Sequence, residues 1–170
     1  MIEVFIGVLI ISVIFAIALN LTSSGLRGAD KGMSHLALMQ SVAILMAQIE
    51  YDLLRAYDLL DPAPGDTDTA ARWKLLIDDD DGEGTVIYNQ VSDGVERHFT
   101  TANDDDRYTY GKGLNIELQF RHVYFPDPTT SSDKRGMLIK IRAVSPEKFG
   151  NTEEFEMKRL FICKNIINTL

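Results

Sequence analysis

The chain has 170 residues, 17 basic and 25 acidic groups for a net charge of −8, and is 45% apolar and 25% charged. That length holds one ordinary domain plus an attachment and argues against a multidomain enzyme, and the apolar share excludes a disordered chain. The acidic balance gives no general electrostatic reason to hold nucleic acid or an anionic lipid surface, and a single cysteine, Cys163, forbids an internal disulfide and a cysteine-cluster zinc site.

From Val4 to Leu21 the sequence is uncharged and interrupted only by Ser12 and Asn20. A helix rises ~1.5 Å per residue and a bilayer core is ~30 Å thick, so this run with its flanks is about long enough to span. A cleaved secretory signal would need a basic leading region and a small-residue exit, whereas Met1-Ile2-Glu3 is uncharged or acidic. The segment is therefore expected to persist in the mature protein. Glu3 stands at the lip of the hydrocarbon run, where an ionised carboxylate is costly unless it meets a cation.

Beyond the run the chain continues to read as helix. Leu36, Met39, Val42, Met46, Ile49, Leu53, Tyr57 and Leu60 recur at spacings of three and four, one apolar stripe, with Gln40, Gln48, Asp52 and Arg55 on other faces. Asp61-Pro62-Ala63-Pro64-Gly65 ends the pattern because proline cannot continue the hydrogen-bond ladder. Gly25, Gly28 and Gly32 each weaken helix propensity by about 1 kcal/mol relative to alanine, so residues 20–32 are where this helix is expected to bend or melt.

Past Pro64 the period shifts toward two. Residues 73–77, 85–91, 95–100, Leu114 to Phe125, Met137 to Val144 and Glu154 to Cys163 are rich in β-branched and aromatic residues and read as strands. Ser92-Asp93-Gly94 marks a hairpin joining residues 85–91 to 95–100. Leu114, Ile116, Leu118 and Phe120 fall on one face, expected to lie against the helical stripe. The fold class is α+β: a long N-terminal helix, membrane-spanning in its first half, packed on an antiparallel sheet. Its parts are residues 1–25 as transmembrane segment, 26–61 as amphipathic continuation of the helix and 62–170 as the sheet domain.

The acidic runs Asp78-Asp79-Asp80-Asp81 and Asp104-Asp105-Asp106 make Asp78, Asp80, Asp104 and Asp106 the candidate ligands for Ca²⁺, which takes several carboxylate and carbonyl oxygens on a turning backbone. A solvated loop is the stronger reading, since blocks of like charge usually repel and hydrate, and Asn89 stands where an EF-hand loop would need its twelfth-position Glu. His35, His98 and His122 lack metal-ligand spacing, and no phosphate loop or nucleophile elbow is found. Cys163 within Leu160-Phe161-Ile162 reads as a buried small hydrophobe. No catalytic residue and no cofactor other than Ca²⁺ is assigned, and the chain is not expected to be an enzyme.

Met1-Ile2-Glu3-Val4 leading an unbroken apolar helix resembles the type IV pilins and type II secretion pseudopilins, whose precursors carry a basic leader, a glycine, then Phe-Thr-Leu-Ile-Glu. Met1, Ile2 and Glu3 match the end of that motif, with Met for the usual Leu, and the resemblance implies a leader, a glycine and a Phe-Thr pair ahead of Met1. Glu50-Tyr51-Asp52-Leu53-Leu54-Arg55, the Tyr88 strand, the Asp93-Gly94 turn and the Arg97 return strand are similar to minor pilins and the J-type minor pseudopilin. The resemblance implies a single-pass protein of a bacterial inner membrane with a periplasmic or filament-exposed domain. Its partners would be other pilins or pseudopilins, an assembly platform and a prepilin peptidase. Assembly would use Met1, Ile2, Glu3 and Gly7, with Glu3 meeting the N-terminal ammonium of a neighbour. The competing reading is a membrane-anchored periplasmic binding module that uses the acidic loops for Ca²⁺ and forms no filament.

Overall fold

The computed structural model describes residues 2–76, 83–125, 134–145 and 152–163, with side chains from Ser12 onward apart from Arg27, Leu76 and Lys134. A single helix, α1 (Ile2–Arg55), precedes nine strands among the described residues. These are β1 (Ala56–Asp61), β2 (Thr67–Asp68), β3 (Ala70–Leu76), β4 (Glu83–Val91), β5 (Gly94–Thr100), β6 (Asp105–Tyr110), β7 (Asn115–Phe125), β8 (Lys134–Val144) and β9 (Glu154–Ile162). Two compact units are distinguishable, Met1–Leu36, whose described residues are all helix, and Ala37–Leu170, which holds the rest of α1 and the nine described strands. The α+β class expected from the change of period is thus the observed one.

In the first unit α1 runs unbroken through Gly25, Gly28 and Gly32, where a bend or melted turn was expected. A Cβ at any of the three would meet nothing within 4 Å, so no close packing in this chain requires them. Thr22 Oγ1 donates to the Ala18 carbonyl (2.9 Å) and Ser23 Oγ to the Asn20 carbonyl (3.0 Å). Both hydroxyls are therefore satisfied by the helix's own backbone, as an apolar surrounding demands.

In the second unit the buried residues of α1 are Leu38, Val42, Leu45, Met46, Ile49, Asp52 and Leu53. Val42, Met46, Ile49 and Leu53 belong to the expected stripe, but Leu36 and Met39 are exposed and Leu38 and Leu45 take their places. The helix is also shorter than its apolar pattern predicts. It stops at Arg55, and Ala56–Asp61, expected as its last turns, is strand β1. Short apolar runs fit either period, and here pairing with β3, Ala56 against Leu75 and Leu59 against Trp73, takes up the backbone groups and turns Ala56 and Leu59 into the core.

The strands form two antiparallel sheets, ordered β1-β3-β4-β5-β6 and β2-β7-β8-β9. The β4–β5 hairpin closes on Ser92-Asp93 with Val91 opposite Gly94, as the turn signal predicts. Gly94 takes φ +127°, and a Cβ there would run into the Tyr110 carbonyl oxygen, so glycine is required twice over. On β7, Ile116, Leu118 and Phe120 are buried on the expected face, with Leu114 at its margin. They share one core with α1, the Trp73 and Leu75 of β3, Val86 and Tyr88 of β4, and Met137, Ile139 and Ile141 of β8. Trp73 stacks on Tyr88 at 5.3 Å and meets Phe120 edge-on at 6.0 Å, which ties the two sheets together.

His122 ends the buried row of β7, and its Nδ1 lies 3.3 Å from the Pro62 carbonyl. Burial pushes its pKa below 6.5, with Arg135 adding to the effect and the Pro62 hydrogen bond opposing it. The unfolded chain then binds a proton more readily than the folded one, so this contribution is whole above pH 6.5 and declines as pH falls through that value. We expect His122→Gln to flatten the acid-side loss of melting temperature between about pH 7 and 5, followed through Trp73 fluorescence in detergent. An unchanged slope would exclude His122 as its source.

Candidate functional site

Two features stand out, a helix surface and a buried charge cluster. Val13, Ile14, Phe15, Ile17, Leu19 and Leu21 on α1 are each more than half exposed, from 51% for Val13 to 69% for Leu21. At 100° per residue these positions, with Ala16 and Ala18 in the gaps between them, leave no charged side on the helix, and a helix apolar all round belongs in a membrane or the centre of a bundle. This is a helix long and apolar enough to cross a bilayer. Ile2, Glu3 and Gly7 lie in its first turns, their side chains outside the described part, and Met1 lies outside the described residues.

The cluster is centred on Asp52, which pattern reading placed away from the apolar stripe and which is fully buried. Spacing puts it there: Leu45, Ile49 and Asp52 follow at four and three, one face of the helix. Arg97 on β5 donates to both carboxylate oxygens, Nε to Oδ2 at 2.7 Å and Nη2 to Oδ1 at 3.0 Å. Tyr88 on β4, directly opposite Arg97 in the hairpin, donates its hydroxyl to Oδ2 at 2.6 Å, and Gln48 one turn back donates to Oδ1 at 3.3 Å. Asp52 sits in the last turn of α1, where the partial negative charge of the helix end opposes a carboxylate, so the bidentate guanidinium is its necessary counterion.

The same geometry governs the partners. Burial works against the charge of Arg97, but the hydrogen bonds and charge of Asp52 outweigh it and raise its pKa. Burial raises the Tyr88 pKa, and the charge and hydrogen bond of Asp52 raise it further, so the phenol stays a donor. With every member engaged, the cluster is a fastening between helix and hairpin and offers no acid or base to a substrate. Cys163 is likewise unsuited to nucleophilic chemistry, since burial pushes its thiol up to about 11.

Asp78 and Asp80 lie outside the described residues. Asp104 and Asp106 are exposed on the β5–β6 connection and the edge strand β6, where the Asp104 amide donates to Thr101 Oγ1 at 2.9 Å. Between them Asp105 is engaged by His98 at 2.5 Å. Among the described residues no three His, Cys, Asp or Glu side chains come together to hold a metal. An open cleft of about 440 Å³ lies along the outer side of β7 and β8, with Asp68, Gln90, Glu117, Lys140 and Arg142 on its walls. Arg142 is gripped there by Glu117 and Glu154, and Lys140 by Glu156, so its cations already have carboxylate partners. Comparison with protein-family models, with curated proteins and with solved structures finds no match for this chain.

Replacing Arg97 by Met leaves the Asp52 carboxylate buried without its counterion, a loss of roughly 3–5 kcal/mol. The double variant Asp52→Leu/Arg97→Met is expected to recover most of it in denaturant unfolding of the full chain. Additive losses in the cycle would show the pair to be uncoupled.

Proposed function

We propose that the chain is a pilin-like subunit of the minor pilin or minor pseudopilin kind, held in a bacterial inner membrane by the first part of α1. The sheet domain stands in the periplasm or on the filament surface. By this reading the chain works as a structural subunit and not as an enzyme. It assembles through its apolar helix into the tip or initiation complex of a type IV pilus or type II secretion pseudopilus. Its partners are other pilins or pseudopilins and the membrane assembly platform, and a prepilin peptidase processes the precursor.

The observation that carries the reading is the division of labour along one helix. Residues 13–21 of α1 expose Val13, Ile14, Phe15, Ile17, Leu19 and Leu21 with no charge among them, and residues 38–53 bury one face in an antiparallel core. Such a chain has an apolar rod that needs a lipid or protein surrounding and a folded head with a core of its own. Glu3 at the start of the rod supplies the register, because a carboxylate carried into an apolar bundle is tolerated where a neighbour's terminal ammonium meets it.

Glu3→Leu removes that pairing without disturbing the head. The variant is expected to insert in the membrane at normal abundance and to be lost from sheared filaments or from the isolated tip complex. Undiminished incorporation would refute the assembly role of Glu3 and with it this reading.

A further inference from the structure

The second half of α1 carries a second apolar face, opposite the one in the core. Within residues 37–55 the strongly exposed positions are Ala37, Met39, Gln40, Ala43, Ile44, Ala47, Tyr51 and Leu54. Ala37, Gln40, Ile44, Ala47, Tyr51 and Leu54 follow one another at alternating spacings of three and four, the a and d positions of a heptad. Ile44 is 60% exposed, Tyr51 54% and Leu54 60%. The core residues Leu38, Val42, Leu45, Met46, Ile49 and Leu53 all fall at b, c and f, on the far side of the helix. Amphipathic packing on the sheets needs only that inner face.

We propose that this outward face is a coiled-coil seam for a second copy of the chain, parallel and in register. Three features select a like partner. Glu50 occupies a g position and Arg55 the following e position, the pair that a parallel in-register dimer brings together twice across its seam. Gln40, the one polar residue among the six, is self-complementary, its amide donating to and accepting from the same amide of the other copy. Ile44 at a and Leu54 at d are the residue types that favour two strands. Among the described residues the existing bonds leave capacity for this, since Arg159 engages Glu50 through Oε2 and Arg55, lying over the Tyr51 ring, reaches the Tyr51 hydroxyl through Nη1. The proposal rests on the membrane anchoring above for one point only: copies inserted with the same orientation can pair only in parallel. Hydrocarbon is a poor occupant for a face bearing Gln40 and flanked by Glu50 and Arg55.

The test uses the full chain in membranes, where buried Cys163 sets the background. Ile44→Cys and Ala47→Cys are each expected to oxidise to a disulfide-linked homodimer, and Met39→Cys, exposed but at a c position, to stay monomeric. Adding Tyr51→Glu to Ile44→Cys is expected to abolish the dimer with Trp73 fluorescence unchanged. Monomer only at positions 44 and 47, equal cross-linking from position 39, capture of a different protein, or labelling of position 44 by a lipid-phase probe would each overturn the proposal. Filament incorporation of the Glu3→Leu chain, read in the same cells, separates the failure of the seam from failure of the assembly reading.

Discussion

A helix of 54 residues imposes the constraint to which everything else in this chain answers. Its first part has apolar side chains on all sides, and its second part buries one face and exposes Ile44, Tyr51 and Leu54 on the other. One small sheet domain can cover only the inner face of the second part. The remaining apolar surface has to be met by lipid or by other helices, because apolar area left in water forfeits the largest favourable contribution to folding and association.

The fastening between the two is polar where it could have been apolar. Asp52, Arg97 and Tyr88 join the last turn of α1 to the β4–β5 hairpin with three strong hydrogen bonds inside the core. A buried ion pair contributes little net stability compared with a well-packed apolar substitute, yet it is intolerant of displacement, since a shift of the helix strands a charge. The apolar residues of α1 that share the core with Trp73 and Phe120 already resist displacement, since a shift would open voids. A bidentate pair admits one register.

The head otherwise presents compensated charge. On the outer side of β7, β8 and β9, Arg142 lies between Glu117 and Glu154, and Lys140 and Lys158 share Glu156. Such ladders keep a solvated sheet face soluble and contribute little to stability individually. The apolar surface exposed on α1 differs in kind, being contiguous and periodic, and so it is the part of the chain built to be covered.

The apolar run, the change from helical to strand period, the Ser92-Asp93-Gly94 hairpin and the buried row of β7 were all legible in the sequence, because each depends on side chains close along the chain. The Tyr88 and Arg97 strands were visible too, but not their meeting with Asp52, which is 36 and 45 residues away. An acidic residue in an amphipathic helix is assigned to water by local pattern; only a guanidinium delivered by another element makes the interior the lower-energy place for it. The end of the helix was decided in the same way, since residues 56–61 fit two periods and the pairing offered by β3 chose between them. By itself the sequence determined which segments must leave water and, wherever a run was long enough, with what period. Tertiary structure decided which faces they turn to one another and which charge goes inside, because those outcomes depend on partners that no local window contains.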